Sequence, residues 1–428
     1  MILIYSHTIS TRLQYICKFI LEEQLGLEFS FTIDSESFKK HDGPKINYSD
    51  LEIEGDIFII KNHSLLFEKN IKEQNIACFE LNDYKAFFKT ANSNFPFDIF
   101  AASFYLLSRY EEYLPHEKDM YGRYAHENSL AFKEDFLRLP LINIWISNFS
   151  ASLKNKFTAL NPQHLNFKYT PTYDIDIAWS YKSKGILRNI GGFIKSPSAL
   201  RLAVLSGIKK DPFDCYEFLR SLHKEYQMEP VYFFLVASSR SNYDKNISPY
   251  NHNMWRLLKR HAMIYSVGLH PSWRSNEKEG LLKKEKRILE TAGNIQITQS
   301  RQHYIKFSLP QTFESLIQVG ITDDYSMGYG SINGFRASVA SSFIWYNLSA
   351  EKASTLRIHP FCFMDANSFY EQKQNAAESF SELMYYYEIC KKVKGNFISI
   401  FHNNFLGTDK LYAGWREMYV KFISQLRQ

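Results

Sequence analysis

The sequence predicts an α/β chain in two parts, an N-terminal α/β domain over 1–163 and a parallel β/α barrel over 164–428. Three observations lead there. A length of 428 residues exceeds what one ordinary core serves, so two domains are the default. From Asn166 onward, strand-like apolar runs alternate with helical stretches, which is the pattern of successive βα units rather than of an antiparallel sandwich. Asp174, Asp176, His270, Arg301, His303 and His402 each end or follow a strand-like run, as side chains do when a barrel gathers its chemistry at one mouth. Periodicity alone fits an open doubly wound sheet equally well.

The elements follow in order. Met1 to Ser6 reads as a short strand; without a basic start, a long apolar stretch or a small-residue cleavage site, it is not expected to be a secretory signal. Residues 55–60 and 76–81 are strand-like. Residues 99–113 have helical spacing through Ile99, Phe104, Leu107 and Tyr110. Arg109, Glu111 and Glu112 give that helix a dense charge cluster, which fits a solvated or internally paired face, or a salt bridge toward the second domain. Asn161-Pro162, within 158–163, marks the expected boundary. Barrel strands are expected at 167–177, 230–237, 264–269, 295–300, 356–364 and 397–401. A helix is clearest where Phe380, Leu383, Met384, Tyr387 and Cys390 form one stripe, and 277–291 is a second, charged one.

Composition narrows the function. Hydrophobic residues make up 45% and aromatic residues 16%, which excludes a disordered chain. The abundant Tyr and Phe are read first as core and second as the wall of a carbohydrate-facing cleft. A net charge of +6 is small for this length and does not point to nucleic acid. Its distribution is uneven: 182–210 carries Lys182, Lys184, Arg188, Lys195, Arg201, Lys209 and Lys210 with no acid, interleaved with apolar residues. That insertion reads as a lid over a cleft or as a basic amphipathic segment that touches an anionic membrane. Five scattered cysteines without a C-x-x-C pair suggest reduced thiols, and no apolar run approaches the ~20 residues of a membrane span. A cytoplasmic protein, at most peripheral to a membrane, is the expectation.

The chemistry starts from Asp174 and Asp176, two apart on a strand and therefore on one face. Two close carboxylates repel unless a cation separates their roles, a metal on one and an arginine on the other; the plainer reading is a loop pair that caps backbone N–H groups. His270 follows the strand at 264–269 and precedes Pro271, which stops strand pairing. Zinc and similar ions take histidine nitrogen and aspartate oxygen and leave a position for water.

In these stretches the chain resembles the NodB-homology polysaccharide deacetylases, carbohydrate esterase family 4, and in particular a Bacteroidetes-type branch with an N-terminal domain of unknown function. In the first domain the resemblance rests on Phe97 to Phe104 and Leu107 to Tyr113. In the barrel it rests on Tyr173 to Asp176, Gly268 to Ser272, Ser300 to Tyr304, Gly334 to Ala337 and Ser399 to Asn403. The resemblance implies a distorted (β/α) barrel, a divalent metal with zinc first among candidates, and hydrolytic removal of an N-acetyl group. It implies Asp174 as catalytic base, Asp176 and His270 as metal ligands, Arg301 as the partner of the base and His402 as acid. The sequence departs from the family in one place: where a second histidine is usual, position 274 is Arg. His303 is the expected replacement ligand, with His359 and His252 as lesser candidates. Tyr304, Arg274 and Arg336 are expected at the substrate, Arg336 more simply as a packing residue. The reading is therefore a hydrolase acting on an N-acetylated sugar of a cell-surface or lipid-linked glycan. Hydrolysis of another C–N bond, of the ureide type, and a degenerate barrel that binds glycan without turnover are the alternatives.

Overall fold

The computed structural model describes residues 1–163, 165–195, 197–278 and 280–426. The first part is built on a parallel sheet of β1 (Ile2–Tyr5), β2 (Phe29–Thr32), β3 (Lys45–Asn47) and β4 (Phe58–Ile59), in the order β2-β1-β3-β4. A small hairpin, β5 (Phe79–Leu81) and β6 (Tyr84–Ala86), follows. The second sheet begins with β7 (Lys168–Ile175), β8 (Val231–Leu235), β9 (Ser266–His270), β10 (Gln299–Ser300) and β11 (Asp323–Asp324). It is completed by β12 (Phe343–Asn347), β13 (Lys352–Ile358), β14 (Phe363–Met364) and β15 (Asn396–His402). Their order is β12-β13-β11-β10-β9-β8-β7-β15-β14.

Within this sheet, among the described residues, only β12 runs antiparallel to its neighbour. The other strands are parallel and follow the circular order of a β/α barrel, with an unpaired seam between β13 and β14. The molecule is thus an N-terminal α/β domain followed by a distorted barrel. All-parallel strands need cover on both faces, and helices supply it on the outside. The longest of these, Ala376–Lys392, starts at a capping box in which Asn375 accepts from the Ala377 and Glu378 N–H groups and Glu378 accepts from the Asn375 N–H.

One hydrophobic core runs through both parts. Tyr15 Oη donates to the Ile344 carbonyl at 2.6 Å, and Asn143 bridges to Ser341 Oγ and to the Ala340 N–H, both at 2.8 Å. The first domain therefore packs on the β12–β13 side of the barrel. Gly334 lies at this contact with φ +149°, and a Cβ there would meet Leu137 Cγ at 2.8 Å. Only glycine suits both the backbone angle and the closeness.

Two expectations are corrected. The run 356–364 is two strands, β13 and β14, because Pro360 has no N–H to continue a ladder. The helix expected over 99–113 ends at Leu107; Arg109 is left-handed at φ 55° and a short 3-10 turn, Tyr110–Tyr113, follows. The strand β12 went unanticipated, as did β11, which is two residues long. Among the described residues no helix is long and apolar enough to cross a membrane.

Candidate metal and active site

Register brings the chemistry together. His402 pairs with Asp174 across β15–β7, His270 with Leu235 across β8–β9, and Ser300 with Leu269 across β9–β10. All lie at the C-terminal ends of parallel strands, the end where barrel enzymes place their sites. Gly268 lets β9 pass close to β8, since a Cβ would meet the Phe233 ring at 2.5 Å.

Asp176 stands at the centre. His270 Nε2 lies 3.1 Å from its Oδ1, and His303 Nε2 and His402 Nε2 each lie 3.5 Å from its Oδ2. Asp176, His270 and His303 each offer one ligand atom, all within 4.8 Å of one another. The histidines are oriented from behind. His270 Nδ1 is 2.6 Å from the Arg301 carbonyl, which only accepts, so Nδ1 carries the proton and Nε2 presents a lone pair. Asp244 does the same for His303, at 3.1 Å from Nδ1. Asp176 Oδ1 is buried without a hydrogen-bond partner. A bare carboxylate oxygen facing imidazole lone pairs is costly unless a cation completes it, so this donor set fits a divalent metal with oxygen and nitrogen ligands.

Asp174 is buried beside this group. Its Oδ1 accepts from Arg301 Nη1 at 2.9 Å, and the same nitrogen donates to Thr172 Oγ1 at 2.7 Å. Arg301 is fully buried, donates from Nε to the Tyr325 carbonyl and stacks over the Phe233 ring at 4.5 Å. On the other side, Asp365 accepts from both His402 Nδ1 (2.6 Å) and the His402 backbone N–H (2.7 Å), fixing the ring with Nε2 toward the cleft.

The electrostatics reflect a crowd of carboxylates. Burial opposes charge on Asp176, yet His303 and His270 hold its carboxyl well below the usual range. Burial likewise opposes charge on His303, but Asp176 and Asp244 push it up to about 9. His402 is pushed up to about 10 against burial by Asp365 first, then Asp176 and Asp174. In the protein alone, a proton on His303 balances Asp176; a divalent cation would displace it.

The site opens into a cleft of about 620 Å³. Tyr304 lines it, as expected, and Tyr243, Tyr370, Tyr412 and Phe405 add aromatic walls. Tyr243 stacks on Trp273 at 3.9 Å. Tyr121 and Arg123 reach the cleft from the first domain, Arg123 Nη1 donating to the Tyr304 carbonyl at 2.8 Å. A larger cavity of about 750 Å³ lies at the opposite ends of the strands. It holds no comparable ligand set, so the smaller cleft is the site.

Sequence reasoning missed Asp244, Asp365, Tyr121 and Arg123; all four lie outside the motifs, and only their contacts reveal them. Arg336 takes the simpler of its two readings, as a packing residue. Instead of facing substrate, Arg336 is buried against Glu112, with Nε to Oε1 at 2.8 Å and Nη2 to Oε2 at 2.6 Å. Glu112 also accepts from Arg109 Nε at 2.7 Å, so the charged cluster of the first domain forms the interdomain bridge. Arg274 points to Ser239 Oγ at 3.2 Å and is not among the residues lining the cleft. His359 is held by Asp323 and Ser342 on the far cavity, and His252 pairs with Arg256, so neither joins the metal group. No described residue of 182–210 is among those that line the cleft.

Comparisons with known proteins add the following. Residues 2–158 match a family of unknown function, DUF7033. None of the curated proteins matches the chain. Among solved structures, the chain is similar to a protein from Mycobacterium smegmatis assigned as a polysaccharide deacetylase, at 12% identity and a TM-score of 0.41, over 63% of this chain and 86% of that one. A probable polysaccharide deacetylase from Pseudomonas aeruginosa PAO1 is similar at 10% identity and 0.40, over 61% and 85%. A polysaccharide deacetylase from Bacillus cereus is similar at 9% identity and 0.31, over 62% and 89%.

Proposed function

We propose that the chain is a metal-dependent hydrolase that removes acetate from an N-acetylated amino sugar of a glycan. One observation carries this reading. An Asp–His–His group, its two histidines buried and each held with its lone pair inward, stands beside a second carboxylate clamped by a buried arginine and opposite a carboxylate-backed histidine.

Asp176, His270 and His303 would hold the cation, which when bound supplies a Lewis acid for the amide carbonyl and lowers the pKa of water. Asp174 takes the proton from the attacking water. Its pairing with Arg301 holds it in place beside the cleft. The Tyr304 segment, left-handed at φ 59°, supplies a backbone N–H for the developing oxyanion. His402, kept protonated by Asp365, delivers its proton from Nε2 to the departing amine. The aromatic walls offer flat apolar faces to sugar rings, and Tyr hydroxyls offer hydrogen bonds at their edges.

Elemental analysis of the purified protein before and after chelation, paired with acetate release from oligomers of N-acetylglucosamine, tests this. Stoichiometric metal and chelator-sensitive acetate release are expected. Glycan binding with neither metal nor acetate would favour a non-catalytic glycan-binding barrel. Turnover of ureides without acetate release would favour the other C–N hydrolysis.

A further inference from the structure

The insertion between β7 and β8 is left unused by the site. It forms two helices, Ile186–Lys195 and Ala199–Leu205, and ends in the basic pair Lys209 and Lys210. Six large apolar side chains here, Ile190, Ile194, Leu200, Leu202, Leu205 and Ile208, are between 36% and 79% exposed. They are six of the eighteen exposed large apolar side chains found among the described residues, gathered in 19 positions. Ile190, Ile194, Leu202 and Leu205, with Phe193, line one apolar groove between the helices. These five side chains are therefore contiguous, and contiguous exposed apolar surface marks an interaction site.

Charge identifies the occupant. The segment holds seven basic residues and no acid, and Lys182, Lys195, Lys209 and Lys210 are exposed. Arg240, exposed on a neighbouring loop, adds to the same side, close enough to depress Arg188 together with burial. Exposed cations, of which Lys210 also pairs with Asp214 at 3.7 Å, beside exposed aliphatic side chains match a surface that offers both phosphate charge and acyl chains. A second copy of this chain would bring like charge against like.

We propose that residues 182–210 dock the protein on an anionic lipid bilayer, the isoleucine and leucine side chains entering the headgroup boundary and the lysines facing lipid phosphates. The docked face adjoins the cleft: Arg188 Nη2 donates to the carbonyl of Lys245, and Lys245 lines the cleft. Bilayer contact thus sets the cleft mouth beside the membrane surface. This inference stands independently of the hydrolytic reading.

Flotation of the full chain with vesicles of phosphatidylglycerol and phosphatidylcholine tests it. The protein should float with anionic vesicles at low salt and be released at about 0.5 M salt, where screening is nearly complete. It should not float with pure phosphatidylcholine. Lys195→Glu with Lys209→Glu should weaken binding by about tenfold or more, and Ile194→Ser with Ile208→Ser should abolish it. These side chains are exposed, so circular dichroism should be unchanged in both pairs. Three outcomes overturn the proposal: no flotation with anionic vesicles, equal flotation with neutral ones, or wild-type flotation by both variant pairs. A concentration-dependent dimer that Ile194→Ser dissociates, without vesicle binding, would assign the patch to a second copy instead.

Discussion

At the scale of single residues, the site is an exercise in orienting lone pairs. His270 and His303 could each present either nitrogen; the acceptors behind their Nδ1 atoms decide the matter. Asp244 is therefore a positioning residue, and Asp244→Asn should weaken metal affinity on the order of 10–100-fold, measured by competition with a chromophoric chelator. His303→Ala and His270→Ala should each cost more than that and by similar amounts, while Arg274→Ala should leave metal content unchanged. Asp174→Asn separates roles differently: metal retention and melting profile as in wild type, acetate release lost, because an amide cannot accept the water proton. Substantial turnover by that variant would remove Asp174 as base. Asp174, Asp176 and His270 were legible in the sequence because each sits at the end of an apolar run. Asp244 was not, because it lies in a loop where no periodicity marks a carboxylate as buried; Asp365 directly follows β14 but belongs to none of the motifs.

Single elements show why strand ends read better than strand extents. β7, β8, β9 and β15 run for five to eight residues, and their positions were legible within about two residues. β10 and β11 pair over two residues each, too short for any period. The helix Leu281–Gly293 carries a further consequence of burial. Glu285 is fully buried on its inner side, accepting from the Ser272 N–H at 2.9 Å just beyond β9. Burial pushes its carboxyl up to about 7. A folded pKa above the unfolded value means the native state binds the extra proton between about 4.5 and 7, so stability is lost as pH rises through that window. Glu285→Gln keeps an acceptor for Ser272 and removes the charge. It should flatten the pH dependence and gain on the order of 1–3 kcal/mol at pH 8 relative to wild type. Urea titrations at pH 5 and pH 8 read this directly, and an unchanged difference between the two would refute it.

For the whole molecule, the decisive feature is the fully buried group of Arg109, Glu112 and Arg336, with Glu111 at its edge. Two guanidinium groups are balanced by two carboxylates, and Glu111 also accepts the Leu130 N–H at 2.8 Å. Breaking a buried pair leaves an uncompensated charge, so Glu112→Gln should cost about 3–5 kcal/mol and loosen both domains together. Arginine pairing holds Glu112 down to about 2 against burial. Its contribution is therefore present above its ordinary pKa and lost only as pH falls from about 4.5 toward 2. Acid titration of wild type and Glu112→Gln, monitored by tryptophan fluorescence, should converge only in that range. The charges were legible in sequence and the bridge was one of the readings they allowed. Its partner was not, since Arg336 lies 224 residues away from Glu112 and shows nothing in its own surroundings of what it binds.

The turn that carries Tyr121 and Arg123 is braced by its own base: Asp119 accepts from the Tyr121 and Arg123 N–H groups and from Arg123 Nε. It needs little from its surroundings to keep its shape, yet it forms part of the cleft wall. Selection for a new glycan could thus act on a half-dozen codons far upstream of those for the metal and the proton carriers. On the proposed reading, transplanting this turn between relatives should alter KM among glycans and spare metal content, so that one part of recognition is inherited apart from reactivity.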